Sequence, residues 1–347
     1  MDIFTCWLRI KRNLTTSLVF LFVVGSPGLL AQIDYQANFD SLGPTVEQLT
    51  ATDGRVINYI DDANESGIPV VFTGGLGTSV RAVRLLDFLE TMRADLNLRF
   101  ITIERNGFGQ TEFDENLDMS DYVNDVEQVL AHLNIEEFAL FGISGGGPYT
   151  AKIAETNSQR LLSIHMAATN PAIGNPQGCN NSAANAYTEM LRYPMEFFGF
   201  PPDSPLHQIE GFQATAFDEA ARAHNLRGQS ADPAPLLHEI GLYCTENELD
   251  SAHITAPVYV YLGLQDQVLR TLNPEDWYEA YPNADVTVRI YPDGGHDVQY
   301  RHLDQILLDL AGQGDRILVC ADGIERLLAP DDLEADDSQS LGLCVWQ

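Results

Sequence analysis

The amino-acid sequence predicts an α/β fold in which a mostly parallel, twisted sheet is covered by helices on both faces. Two observations support this prediction. Short apolar runs alternate with amphipathic segments along the chain, as expected for parallel strands joined by crossover helices. The length of 347 residues and the hydrophobic content of 45% also suffice for a large buried core.

The first half of the chain contains four candidate strands and two candidate helices. The strands are short apolar runs bounded by glycine-rich turns, at 55–60, 68–73, 100–103 and 138–143. The helices are segments with apolar residues at helical spacing, at 80–92 and 121–133. Two further strands, at 258–264 and 286–291, complete the predicted sheet.

A candidate nucleophile follows the strand at 138–143. That strand runs into Gly142-Ile143-Ser144-Gly145-Gly146 and then into a helical segment. The pattern is the G-x-S-x-G nucleophile elbow, in which a sharp strand-to-helix turn exposes a serine in strained backbone geometry. Larger side chains at the flanking glycines would collide with neighbouring elements. The pattern therefore predicts Ser144 as a nucleophile.

A carboxylate and a histidine follow later strands in the order that a serine nucleophile on this kind of sheet requires. Asp266 comes just after the strand at 258–264, and His296 comes after the strand at 286–291 and a Gly-Gly pair. A carboxylate directly after the segment 161–169 would be an alternative to Asp266, but Asn170 stands at that position and no carboxylate is nearby. The sequence therefore favours Asp266 as the acid and His296 as the general base.

With these residues in place, the chain resembles the α/β-hydrolase superfamily over about residues 50–312, in particular its small esterase-like members with a cap domain. The resemblance implies an oxyanion hole formed by the backbone N–H groups of Gly75 and Gly145. Thr73 stands where the family usually has a histidine. The segment 104–109 looks like the family's acidic-Arg-Pro-Gly-aromatic-Gly turn, with Asn106 in place of proline.

The resemblance also divides the chain into segments. The hydrolase core is expected at 32–170 and 254–312, interrupted by an aromatic-rich cap at 171–253. Residues 313–347 form a C-terminal extension with predicted strands at 316–319, 324–328 and 341–344.

The first 31 residues have the order of a secretory signal. Basic residues precede an apolar stretch at 18–24, and small residues follow up to Ala31, after which we expect cleavage. The alternative is a membrane anchor, but the apolar run is much shorter than the roughly 20 residues of a spanning helix. The sequence thus predicts a secreted or periplasmic protein.

Export allows the cysteines to form disulfide bonds. Cys6 is removed with the signal, and four cysteines remain. Their positions favour two local disulfides, Cys179 with Cys244 and Cys320 with Cys344, over the other two connectivities. No C-x-x-C spacing suggests a metal site, and we expect no metal and no cofactor.

The formal net charge of −31 argues against nucleic-acid binding and against binding to an anionic membrane surface once the signal is removed. Apart from His296, no histidine follows a predicted strand and a Gly-Gly pair, so the others are interpreted as structural or surface residues. These are His132, His165, His207, His224, His238, His253 and His302.

The expected function is a secreted serine hydrolase that cleaves a small to medium ester through an acyl-enzyme. The partner is a small-molecule ester or amide, and the oligomeric state is left open. A peptidase of the proline-iminopeptidase kind is an alternative on the same fold, although the chain lacks that family's Trp next to Ser144. A catalytically inactive binding module is the alternative of a different class.

Overall fold

The computed structural model describes residues 45–62, 64–171, 234–245, 249–269, 273–292, 294–333 and 339–344. The predicted signal at 1–31 and most of the predicted cap at 171–253 lie outside these residues, so both stay predictions.

A central sheet of eight strands, in the order β1-β2-β4-β3-β5-β6-β7-β8, forms the core. The strand β2 runs antiparallel to both of its neighbours, and all pairs from β4 to β8 are parallel. The strands are β1 Glu47–Thr50, β2 Val56–Asp61, β3 Ile68–Thr73, β4 Leu98–Ile103, β5 Phe138–Ile143, β6 Leu161–Ala167, β7 Val258–Gly263 and β8 Val286–Tyr291.

Helices cover both faces of this sheet, because the central strands are apolar on both sides. Every residue of β4 and β5 is buried. The described α-helices are α1 Glu90–Asp95, α2 Met119–His132, α3 Gly147–Asn157, α4 Ala234–Thr245, α5 Pro274–Ala280, α6 Val298–Arg301 and α7 Leu303–Leu310. α7 packs in one apolar cluster, and α2, α3 and α5 pack in the cluster on the opposite face. The predicted fold class is confirmed.

The segment predicted as one helix at 80–92 is divided in two. Val80–Leu89 is a 3₁₀ helix, and α1 follows it directly. Nine of the ten residues of the 3₁₀ helix are buried, among them the charged Arg84 and Asp87, so the segment is covered on several sides.

A second, three-stranded antiparallel sheet follows α7. Its strands are β9 Ile317–Ala321, β10 Ile324–Leu328 and β11 Gln339–Leu341, in the order β10-β9-β11. A disulfide joins Cys320 to Cys344, which confirms that prediction. The last strand ends earlier than predicted, because the N–H of Leu343 donates to the side chain of Asp304 at 2.8 Å instead of extending the sheet.

The other predicted disulfide is not tested, since Cys179 lies outside the described residues. Cys244, in α4, is disulfide-bonded. Among the described helices, none is both long and apolar enough to span a membrane.

Candidate active site

The serine predicted as nucleophile stands in a strained turn between β5 and α3. Ser144 has a φ of +49°, a conformation that non-glycine residues adopt at a cost of about 1 kcal/mol or more. A Cβ on Gly142 would lie 2.1 Å from Oγ1 of Thr150, and a Cβ on Gly146 would lie 2.2 Å from the carbonyl oxygen of Thr73. The two outer glycines of the G-x-S-x-G pattern are therefore required by close packing.

The structure brings Ser144, His296 and Asp266 together in one hydrogen-bonded relay. Oγ of Ser144 lies 2.9 Å from Nε2 of His296, and Nδ1 of His296 lies 2.8 Å from Oδ2 of Asp266. The three residues follow β5, β8 and β7, whose carboxyl ends lie at the same edge of the parallel sheet. His296 and Asp266 are buried.

The hydrogen bonds of Asp266 determine which nitrogen of His296 carries the proton. Burial alone would raise the pKa of this carboxyl, but the hydrogen bond and charge of His296 and the N–H groups of Leu269 and Val268 outweigh it. The pKa of Asp266 is therefore lowered. An ionised carboxylate can only accept hydrogen bonds, so Nδ1 of His296 donates. In the neutral ring, Nε2 then carries the lone pair that accepts the hydrogen bond of Ser144.

The loop after β3 lies beside the elbow, where the predicted oxyanion hole should form. A Cβ on Gly75 would lie 3.7 Å from Cβ of Ser144, and a Cβ on Gly145 would lie 2.7 Å from the backbone nitrogen of Leu76. Gly75 and Gly145 are thus both next to Ser144. Their role as oxyanion donors remains a prediction.

Thr73, in the position where the family usually has a histidine, joins β3 to the elbow. Its hydroxyl donates to the carbonyl oxygen of Gly146 at 3.0 Å and also shares a short hydrogen bond with the hydroxyl of Thr150. The substituted residue therefore still supports the loop, through a direct contact with the elbow backbone.

The sequence did not indicate three side chains that contact this region, of which Arg105 and Glu239 are buried and Tyr243 is half-buried. Arg105 donates to the carbonyl oxygens of Gly74 and Gly75, at 2.7 and 2.6 Å. Glu239 forms an ion pair with Arg105, with Nε to Oε1 at 2.7 Å, and Tyr243 also contacts the elbow. The turn that contains Arg105 has a recognisable sequence pattern, but its contact with α4 leaves no signal in the sequence beyond the i, i+4 spacing of Glu239 and Tyr243.

Several of the other histidines have contacts of their own. His165 is buried and hydrogen-bonds Tyr261 and Ser163. His238 and His253 bond to backbone carbonyl oxygens. Within the described part of the chain, no group of three or more His, Cys, Asp or Glu side chains is arranged to bind a metal ion.

The sheet, its covering helices and the position of the relay define an α/β-hydrolase. The family model described as serine aminopeptidase, S33, matches residues 66–300, which is more than half of the chain. The chain therefore belongs to this family of α/β-hydrolases.

Solved structures with the same fold include several hydrolases. A hydrolase from Pseudomonas aeruginosa has a TM-score of 0.59 at 18% identity, covering 77% of this chain and 98% of that one. An esterase from Rhodococcus sp. has a TM-score of 0.57 at 20% identity, with coverages of 78% and 99%. An enol-lactonase from Burkholderia xenovorans has a TM-score of 0.56 at 14% identity, with coverages of 77% and 99%.

Proposed function

We propose that this hydrolase cleaves small to medium carboxylic esters through an acyl-enzyme formed on Ser144. The observation that carries the proposal is the relay, in which Oγ of Ser144 lies 2.9 Å from Nε2 of His296 and Nδ1 of His296 lies 2.8 Å from Asp266. A serine hydroxyl is a weak nucleophile unless a neighbouring base takes its proton during attack. His296 is positioned to be that base.

In the first half-reaction, Oγ of Ser144 attacks the ester carbonyl carbon while its proton moves to Nε2 of His296. The carbonyl oxygen becomes an oxyanion facing the N–H groups of Gly75 and Gly145, each contributing about 3 kcal/mol to its stabilisation. When the carbon–oxygen bond to the alcohol breaks, His296 returns the proton to the leaving oxygen.

In the second half-reaction, water attacks the acyl-enzyme and gives its proton to His296. The oxyanion collapses, the bond to Ser144 breaks, and the proton returns to Oγ as the acid leaves. Asp266 stabilises the imidazolium at both stages without being protonated itself. No cofactor is needed in this scheme.

Labelling with a fluorophosphonate probe tests the nucleophile. Wild-type protein should be labelled and should hydrolyse p-nitrophenyl esters, whereas Ser144→Ala should lose both properties because no hydroxyl remains for the relay to activate. Ser120→Ala, on the exposed surface of α2, is the control and should behave as wild type. An unlabelled wild type would contradict the proposal and would favour an inactive binding module.

Cleavage of an N-terminal amino acid is a second candidate activity, favoured by the description of the family. The names of similar structures, which include an esterase and an enol-lactonase, support the ester instead. Rates on p-nitrophenyl esters of graded acyl length, compared with rates on proline naphthylamide, distinguish the two. A higher kcat/KM on the amide would replace the ester proposal.

We also propose that the protein is exported and loses residues 1–31. The basic and then apolar order of this segment supports the proposal. N-terminal sequencing of protein recovered from the periplasm or medium should begin at Gln32. Full-length protein retained in the cytoplasm would contradict it.

A further inference from the structure

One helix of the cap region contacts both backbone segments that flank Ser144. Glu239 and Tyr243 lie one turn apart on α4, and Glu239 is 1% exposed. The hydroxyl of Tyr243 donates to the carbonyl oxygen of Gly145 at 2.6 Å. Oε2 of Glu239 accepts the N–H of Gly77, in the loop after β3, at 2.8 Å.

Arg105 links the same carboxylate to the predicted oxyanion donors. Its Nε pairs with Oε1 of Glu239, while its two terminal nitrogens donate to the carbonyl oxygens of Gly74 and Gly75. In a planar trans peptide the C=O and N–H groups point in opposite directions. Fixing the carbonyl of Gly74 towards Arg105 therefore also fixes the direction of the N–H of Gly75, away from the guanidinium.

Stability alone does not account for this arrangement. Removing two charges from water costs about as much as their attraction returns, so a buried ion pair adds little net stability compared with apolar residues of similar size. In contrast, an oxyanion hole requires donors fixed in advance, and the glycines of this loop have no side chains to fix them. Within the loop, the hydroxyl of Thr78 donates to the carbonyl oxygen of Gly75 at 2.7 Å, and the carbonyl of Gly74 is held by Arg105.

We propose that Glu239 and Tyr243 are positioning residues through which α4 sets the geometry of the oxyanion hole. Glu239 acts on Gly75 through Arg105 and on the loop through Gly77. Tyr243 acts on the elbow through the carbonyl oxygen of Gly145, in the peptide that directly follows the predicted donor. The position of α4 on the core thereby affects how well the developing oxyanion is stabilised. This inference rests on the proposed function, since it requires an acyl transfer at Ser144.

The test is a comparison of Glu239→Gln with wild type in the full-length protein. We expect kcat on a p-nitrophenyl ester to fall by about tenfold or more, a fraction of the 10²–10³ lost with a whole donor, while KM changes little. The affinity for an aryl trifluoromethyl ketone should weaken by a similar factor, because its adduct with Ser144 carries an oxyanion.

The matched control is Asp309→Asn, which breaks another buried ion pair, with Arg289 at 2.7 Å, that joins β8 to α7. It should lower the melting temperature as Glu239→Gln does, yet leave kcat and the ketone affinity of the folded enzyme within about twofold. If both variants lose stability and neither loses kcat, Glu239 is only a structural residue and the inference is wrong.

Tyr243→Phe provides a second variant that leaves no unpaired charge, should Glu239→Gln fail to fold. Its control is Tyr261→Phe, which removes a buried hydroxyl that donates to Asp309. We expect kcat and ketone affinity to fall by about threefold or more for Tyr243→Phe alone, and equal behaviour of the two variants would overturn the inference. Fluorophosphonate labelling of the wild type separates this failure from a failure of the proposed function, because only the latter leaves the wild type unlabelled.

Discussion

At the scale of single residues, Asp266 shows how one carboxylate performs two tasks. Its Oδ1 accepts the backbone N–H groups of Val268 and Leu269, at 2.7 and 3.0 Å, while its Oδ2 accepts Nδ1 of His296. The backbone contacts fix the rotamer and help to keep the group ionised. The tautomer of His296 then follows from the charge of its neighbour.

Asp266→Asn should test this assignment with little change in shape. The asparagine can still accept from Val268, but its amide presents a donor to Nδ1 of His296, so Nε2 carries the proton and cannot accept one from Ser144. We expect kcat to fall by about 10³–10⁴-fold. Steady-state kinetics on a p-nitrophenyl ester measures this, and a loss below about tenfold would show that Asp266 does not orient the histidine.

At the scale of elements, the strand-to-helix turn at Ser144 depends on its contact with the loop after β3. Gly145 and Gly146 face the backbone of that loop so closely that a methyl group would collide with it, whereas Gly75 has room for one. The turn and the loop therefore pack directly against each other at the predicted oxyanion hole.

Alanine substitutions of Gly146 and Gly75 provide a matched pair of variants. Gly146→Ala should lower the free energy of unfolding by about 1–3 kcal/mol or more, because its Cβ would lie 2.2 Å from the carbonyl oxygen of Thr73 and the backbone must shift. Gly75→Ala should change it by less than about 1 kcal/mol, since its Cβ meets only an ordinary contact. Urea denaturation compares them, and equal destabilisation would contradict the packing described above.

The elements also show what sequence can and cannot predict. The bounds of β3, β5 and β8 were predicted residue for residue, because these are buried apolar runs between glycine-rich turns. The strand β1 was not predicted, since Glu47–Thr50 is a short, mostly exposed edge strand without an apolar run. The order of Ser144, Asp266 and His296 could be predicted because the topology of the sheet fixes it. The contacts of Arg105 with α4 could not, because they depend on packing between distant segments.

At the scale of the whole molecule, a buried polar network joins three neighbouring strands to α7. The hydroxyl of Tyr261 donates to Asp309 at 2.7 Å, so its oxygen accepts Nδ1 of His165, and Nε2 of His165 accepts from Ser163. The direction of the Ser163 bond is that of a neutral ring, the form that the lowered pKa of His165 favours. Burial, and to a lesser extent Arg289, lowers its pKa to about 3.

This histidine should make stability depend on pH. In the unfolded chain its pKa is about 6.5, so between pH 6.5 and 3 the unfolded state binds one more proton at this site. The free energy of unfolding should therefore decrease as pH falls through this window, by about 1.4 kcal/mol per pH unit from His165 alone. His165→Asn should remove about 1.4 kcal/mol per pH unit from the pH dependence of the free energy of unfolding, measured by urea denaturation at a series of pH values. If the free energies of unfolding of the variant and the wild type change equally with pH, the prediction is contradicted.

The C-terminal sheet is joined to the hydrolase core through side chains that belong to the core. The carboxylate of Asp304 and the amide of Gln305, both on α7, bind the backbone N–H groups of Leu343 and Leu318. A gene shortened at Gly312 would leave these polar groups and the apolar face around them open to water, so the trimmed product should be prone to aggregate. The extension therefore acts as a cover for α7, whose outward side chains are not suited to contact with water.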